Sequence, residues 1–288
     1  MSLLLHGREY APTDLLIMAI VNRTPDSFYD RGATFAADSA LRRVDEVVQQ
    51  GAHLVDIGGV KAAPGQEVST AEEIDRTASF VAAVRANHPD LIISVDTWRH
   101  QVADAACAEG ADVLNDAWGG HDPRLVEIAG KHGAAIVCTH VGGLAPRTRP
   151  HRIAYDDVMV DVLDHTLHLA ERAERAGVDP RSVIIDPAHD FGKNTHHSLE
   201  VTRRLGEMVA TGRPVLVSLS NKDFVGEALG GLPVDQRLTG TLATTAVCAW
   251  LGAQIYRVHN VVETRQTLEM VATIKGTRRP GRTIRGLA

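Results

Sequence analysis

Aromatic residues make up only 4% of this 288-residue chain, and cysteine occurs three times. Cys107, Cys138 and Cys248 lie too far apart for a disulfide framework or a zinc cluster. No apolar stretch approaches the roughly 20 residues of a membrane span. The leading Met1-Ser2-Leu3-Leu4-Leu5 turns polar at His6, too soon for a secretory apolar core. Neither charge sign is in large excess, with 30 Lys and Arg against 36 Asp and Glu. That mild acidity argues against nucleic acid or a membrane as partner. The glycine-rich dinucleotide fingerprint is also missing: the turn after the first apolar run reads Asn22-Arg23-Thr24-Pro25-Asp26. A cytoplasmic protein is expected.

What is present is an apolar share of 44%, enough for a large core. Short Val- and Ile-rich runs alternate with longer segments of helical period. The runs are 15–21, 54–57, 91–95, 113–114, 134–138, 183–185, 215–217 and 255–258. Apolar on both faces, they read as buried parallel strands. The helical segments are 37–50, 71–86, 99–109, 123–132, 156–176, 198–210, 235–252 and 262–274. Eight such units predict a single (β/α)8 TIM barrel over residues 1–275, with a doubly wound sheet as the alternative. The basic tail 276–288 lacks apolar periodicity and is expected to be disordered. The tract 239–253 is apolar on most faces, which predicts a helix buried on both sides, as at a subunit interface.

Active residues of such a barrel come from the C-terminal strand ends and the following loops. Those ends carry Asn22, Asp56, Asp96, Asn115 and Asp116, His140, Asp186, Ser220-Asn221-Lys222, and Arg257 with His259. Each alone can cap the next helix, but their convergence on one rim implies a shared site. Asp96, Asn115, Asp186 and Lys222 offer acceptors and donors to a flat, hydrogen-bonding heterocycle. Arg257 and His259 suit an anion. Asn22 supplies a neutral oxygen of the kind that assists Mg2+ bound mainly by water and phosphate.

Several motifs then resemble one family. Asn22-Arg23-Thr24-Pro25-Asp26-Ser27-Phe28, Asp56-Ile57-Gly58-Gly59, Ser94-Val95-Asp96-Thr97, Asn115-Asp116, Ile185-Asp186-Pro187 with Phe191-Gly192-Lys193, Ser220-Asn221-Lys222 and Arg257-Val258-His259 are similar to those of dihydropteroate synthases. The resemblance runs from about Leu15 to Val261. It implies a TIM barrel, usually dimeric, that joins a dihydropterin methyl diphosphate to p-aminobenzoate. It also implies that Asp96, Asn115, Asp186 and Lys222 hold the pterin, Arg257 and His259 the diphosphate, and Asn22 the Mg2+.

The departures cluster. Where the family reads Gly-Gly-Glu-Ser-Thr-Arg-Pro-Gly, this chain has Gly58-Gly59-Val60-Lys61-Ala62-Ala63-Pro64-Gly65. Lys61 replaces the lost charge only as a point charge one position shifted. Ser-Arg-Lys-Ser is replaced by Ser220-Asn221-Lys222-Asp223, and a glycine of that strand by Ser218. Asp223 is expected to repel the p-aminobenzoate carboxylate. The family's Gly-x-Gly-Phe reads Ala188-His189-Asp190-Phe191, and Arg23 takes an apolar place. A lost charge-assisted hydrogen bond costs about 1.5–3 kcal/mol, so capture of the second substrate should fall steeply. No residue is assigned a catalytic role. The resemblance therefore implies an inactive or severely impaired synthase homologue binding a pterin-like ligand. An active synthase and another pterin- or folate-dependent transferase are the alternatives.

Overall fold

The computed structural model of the chain describes residues 1–23, 37–62, 64–148 and 154–285. In chain order the elements are β1 (Leu3–Leu5), β2 (Arg8–Tyr10), β3 (Leu16–Asn22), α1 (Ala37–Gln50), β4 (Leu54–Gly58), α2 (Thr70–Asn87) and β5 (Ile92–Asp96). Then come α3 (His100–Ala108), β6 (Val113–Asp116), α4 (Leu125–His132), β7 (Ala135–Thr139), α5 (Val158–Arg175), β8 (Val183–Asp186), α6 (Thr195–Arg203) and α7 (Leu205–Val209). The chain continues through β9 (Leu216–Val217), α8 (Asp223–Ala228), α9 (Leu238–Leu251), β10 (Ile255–Val258) and α10 (Val261–Ile274).

Strands β3 to β10 form one parallel sheet of eight, ordered β8-β7-β6-β5-β4-β3-β10-β9. A parallel bridge from Ile185 to Val215 closes it. This is the expected TIM barrel.

Because side chains alternate along a strand, each strand feeds two cores. Ile17, Ala19, Val55, Ile57, Ile93, Val95 and Leu114 join the larger cluster with the helices. Met18, Leu54, Ile92, Val113, Val137, Ile184, Leu216 and Ile255 form a separate cluster inside the barrel, together with Leu3 and Leu5. Two residues further along the same lumen-facing rows stand Asp56, Ser94, Asn115, Thr139, Asp186, Ser218 and Arg257, and Asp96 follows Ser94. The lumen is thus apolar at the N-terminal end and polar at the C-terminal end.

The hairpin β1–β2 plugs the apolar end. Ser182 Oγ donates to Leu4 O at 2.9 Å, and His6 Nδ1 pairs with Asp112 Oδ1 at 2.6 Å. The hairpin was not visible in the sequence, since each of its strands has three residues.

Other elements depart from the expected boundaries. The segment 198–210 is two helices, α6 and α7, interrupted at Arg204, whose guanidinium bonds Asp157, Glu200 and Glu207. Helix α9 starts at Leu238 after a 3-10 turn at Val234–Gln236. Within this chain α9 is not buried on both sides, because Val247 and Trp250 are 48% and 56% exposed. No helix among the described residues is long and apolar enough to cross a membrane.

Candidate functional site

The polar mouth is organised around Asp56, which is fully buried at the end of β4. Its Oδ1 accepts from Ser94 Oγ at 2.6 Å, and its Oδ2 accepts from Asn115 Nδ2 at 3.1 Å and Arg257 Nε at 2.6 Å. The same guanidinium donates from Nη2 to Asp96 Oδ2 at 2.9 Å. One cation from β10 therefore holds carboxylates on β4 and β5. Burial lifts the Asp96 carboxyl to about 7, against the pull of Arg257 and with the repulsion of Asp56. Burial opposes the Arg257 charge, but Asp56 and Asp96 outweigh it and raise its pKa.

Across the mouth, Asp186 ends β8 and accepts from the amide of Ala188 at 2.7 Å. Burial raises its pKa, and Lys222 partly offsets that. Lys222 Nζ donates to His189 O at 2.6 Å and lies 4.8 Å from the centre of the Phe191 ring. Burial lowers its pKa to about 8, opposed by Asp190 and Asp186.

His259 is buried beyond β10, its Nδ1 2.9 Å from Ser220 Oγ. Burial, with Arg257 and Arg43 adding to it, drops its imidazole to about 3, so the ring is neutral. The Asn22 side-chain oxygen points toward the backbone of Gly58, since a Cβ built there would lie 3.6 Å from it. Arg23 donates its backbone N–H to Gly58 O at 2.7 Å and lays its guanidinium 4.8 Å from the Phe80 ring centre. Burial and neighbouring Arg76 lower its pKa.

The altered loops follow local rules. Val60, Lys61 and Ala62 are half-buried after β4, and Arg76 Nη1 fastens that turn through Gly59 O at 3.1 Å. Ala63 and residues 24–36 lie outside the described residues. Ser218 is buried. Ala188, Asp190 and Asn221 have φ of 48°, 68° and 57°, a left-handed region that favours glycine.

Asn221 is buried with its side-chain oxygen 3.4 Å from Thr241 Oγ1 of α9. Asp223 corrects an expectation. Its side chain is 79% exposed and its Oδ1 accepts from Arg237 Nη1 at 2.8 Å. As the first residue of α8 it turns outward to that guanidinium, where its charge is neutralised.

Three features escaped sequence reasoning. The first is a chain of polar groups running from the interior to the surface: Lys193 Nζ donates to His140 Nδ1 at 2.6 Å, and His140 Nε2 pairs with Oδ1 of the exposed Asp161 at 2.6 Å. Burial, then Lys193, lowers His140 to about 3, while burial lowers Lys193 to about 7. The second is an aromatic arc, with Trp98 6.4 Å from Trp118 and Trp118 5.3 Å from Phe191, all centroid distances. The third is Arg237, which binds Asn221 O at 3.0 Å and Leu232 O at 2.8 Å besides Asp223. His140 and Lys193 stood in or beside the quoted motifs, but their meeting across 53 residues had no sequence signal.

The fold and the lumen thus define a TIM barrel with a polar mouth suited to a flat heterocycle. The pterin binding enzyme family matches residues 18–259. A protein called inactive dihydropteroate synthase 2 from Mycobacterium leprae is 54% identical over 292 aligned positions, covering all of both chains. A protein of the same name from Mycobacterium tuberculosis H37Rv is 54% identical over 98% of this chain and 90% of its own. The crystal structure of Yersinia pestis dihydropteroate synthase with a sulfonamide drug complex superposes with a TM-score of 0.89 at 34% identity, covering 96% of this chain and all of that one. The chain belongs to the pterin binding enzyme family and is a dihydropteroate synthase homologue.

Proposed function

We propose that the chain holds a pterin-like small molecule and lacks normal dihydropteroate synthase activity. Asn221 carries this reading. It stands where the family has arginine, and its side chain is buried against Thr241 of α9. The β9 loop therefore lacks the bidentate side-chain donor that suits the carboxylate of p-aminobenzoate. The names of the mycobacterial relatives support the same conclusion.

On this reading Asp96 and Asp186 accept from ring N–H and amino groups, while Asn115 and Lys222 donate to ring acceptors. Arg257 and His259 face the anionic arm. Arg257 would share its guanidinium between that anion and its two carboxylates, so its positive charge is already largely neutralised. Asn22, whose side-chain oxygen lies at the end of β3 beside Gly58, would offer a neutral oxygen to Mg2+ whose remaining ligands are phosphate oxygens and water. The ion would neutralise phosphate charge.

We assign residues 1–275 to one pterin-binding domain and 276–288 to a tail. The partner is a second copy, meeting through α9 and α10. Val247, Trp250, Met270 and Ile274 are exposed on those two helices, more large apolar groups than a solvated face needs. Three free cysteines suit a reducing compartment such as the cytoplasm.

The test is pyrophosphate release from 6-hydroxymethyl-7,8-dihydropterin diphosphate at high protein and Mg2+, with and without p-aminobenzoate. Pterin binding without turnover is expected. Turnover at the rate of an authentic synthase would overturn the proposal.

A further inference from the structure

Lys193, at the far end of the β8 loop, is buried with its amine surrounded by acceptors. Nζ donates to Phe191 O at 3.0 Å, to His140 O at 3.2 Å and to Ala188 O at 3.3 Å, and it reaches His140 Nδ1 at 2.6 Å. Phe191 and Ala188 belong to the β8 loop and His140 to the β7 loop. One amine therefore joins the two loops.

The loop held in this way presents groups of the heterocycle mouth. Ala188, whose carbonyl Lys193 holds, gives its amide to Asp186 Oδ1 at 2.7 Å. His189 O accepts from Lys222 at 2.6 Å, and the Phe191 ring centre lies 4.8 Å from the same Nζ. Between them the backbone is unfavourable, with φ of 48° at Ala188 and 68° at Asp190. Such conformations persist when surrounding contacts over-determine them. Lys193 supplies contacts at Ala188 and at Phe191, on either side of Asp190.

The direction of these bonds is set from the surface. The side chain of Asp161 on α5 is 53% exposed, and its carboxylate only accepts. His140 Nε2, 2.6 Å from Asp161 Oδ1, therefore carries the ring proton, which leaves Nδ1 as an acceptor for Lys193. Burial, then Lys193, lowers His140 to about 3, so the ring is neutral. The other tautomer would aim an N–H at the Lys193 amine, whose remaining neighbours are carbonyl oxygens.

We propose that Lys193 is a positioning residue for the heterocycle pocket and that Asp161 governs it through the tautomer of His140: together they hold the β8 loop so that Asp186 and Lys222 meet the ring. The inference rests on the pterin-pocket reading. Arg257 and His259, on and beyond β10, take no part in these bonds, so the anionic arm should not sense them.

The experiment is calorimetric titration with 6-hydroxymethylpterin and, separately, with inorganic pyrophosphate and Mg2+. The proteins are the full chain, Lys193→Met, Asp161→Ala, the double variant Lys193→Met/Asp161→Ala and Asp186→Asn. Pterin affinity should fall about tenfold in Lys193→Met (~1.4 kcal/mol) and about threefold in Asp161→Ala. Pyrophosphate affinity should stay within about twofold in both. The double variant should bind the pterin no more weakly than Lys193→Met, because Asp161 acts through that amine. Nitrogen-15 spectra of His140 should show the Nε2–H tautomer in the full chain and a mixture in Asp161→Ala. A merely structural loss would weaken both ligands and add in the double variant. Asp161 is exposed, so Asp161→Ala decides by pterin affinity and tautomer where Lys193→Met fails to fold. Unchanged pterin affinity in either single variant, a parallel loss of pyrophosphate, additive losses or an unmoved tautomer overturns the proposal. If Asp186→Asn still abolishes pterin binding in that case, the pocket stands and only the positioning role falls. Absence of pterin binding by the full chain removes the pocket reading and the proposal together.

Discussion

Arg257 Nε lies 2.6 Å from Asp56 Oδ2 although 201 residues separate them. The pair links β10 to β4 across the lumen and leaves neither charge isolated. A buried ion pair adds little over a well-packed apolar pair, but breaking one is expensive because the surviving charge is stranded. Asp56→Ala strands Arg257 and also removes the acceptor of Ser94 and Asn115. Its expected cost is ~3–5 kcal/mol, read from urea unfolding. Asp56→Ala combined with Arg257→Met should cost less than the sum of the two single changes.

Ligand affinity should depend on pH through Asp96. Burial raises its carboxyl from the usual 3.8 to about 7. Below that value the free protein carries a proton there, whereas a ring N–H needs the carboxylate. Binding then releases a proton, and affinity rises as pH climbs through about 7 and levels off above it, by at most about tenfold per pH unit. Calorimetry in buffers of different ionisation enthalpy measures the released proton, and Asp96→Asn should flatten the profile. Stability has the opposite sign. The folded state binds more protons than the unfolded chain between 3.8 and about 7, so this group's contribution falls as pH rises across that window.

Restoring the second-substrate site should depend on Asn221 rather than Asp223. Asp223→Ser removes a charge that Arg237 already neutralises, so p-aminobenzoate affinity should change less than about threefold, below ~0.7 kcal/mol. Asn221→Arg brings a guanidinium to the loop and should tighten binding by about tenfold or more. Its φ of 57° opposes the gain, so a modest loss of thermal stability should accompany it. Equilibrium dialysis of p-aminobenzoate distinguishes the two variants.

Gly192 should tolerate no side chain. Its φ is 60°, and a Cβ there would lie 2.3 Å from Val141 O. Gly192→Ala forces the β7 and β8 loops apart and disturbs Lys193, which reads the neighbouring Phe191 carbonyl at 3.0 Å. A loss of ~2–4 kcal/mol is expected by chemical denaturation, as for other overpacked sites with backbone strain.

The α9–α10 face should govern the oligomeric state. Trp250→Glu replaces an exposed apolar side chain of that face by a carboxylate, and burying that charge against a second copy costs free energy. Analytical ultracentrifugation should show a dimer for the unmodified chain and a monomer for the variant, with an unchanged far-UV spectrum. A monomer in both cases removes the assignment of that face to a second copy.

Much of the barrel was legible because its parallel strands are apolar on both faces and its helices keep a 3.6-residue period. Helix α1 spans Ala37–Gln50, the segment that Leu41, Val44 and Val48 mark out. Strand β6 shows the limit: its apolar run stops at Leu114, yet the strand continues through Asn115 and Asp116 because its end lines the polar mouth. The hairpin was illegible because three-residue strands have no period to read, and its His6-Gly7 turn is fixed by left-handed φ at both residues.

The sequence by itself determined the alternation of elements and the polar inventory at each strand end, since both depend on local period and residue chemistry. Only the tertiary structure decided which charges meet. Closure of the barrel puts Arg257 between Asp56 and Asp96, and the meeting of two loops sets Lys222 against His189 O. Outward rotation at the start of α8 gives Asp223 to Arg237. The strength of each interaction depends on separation and local dielectric. Neither quantity exists until residues distant in the chain have been packed together and water has been removed from between them.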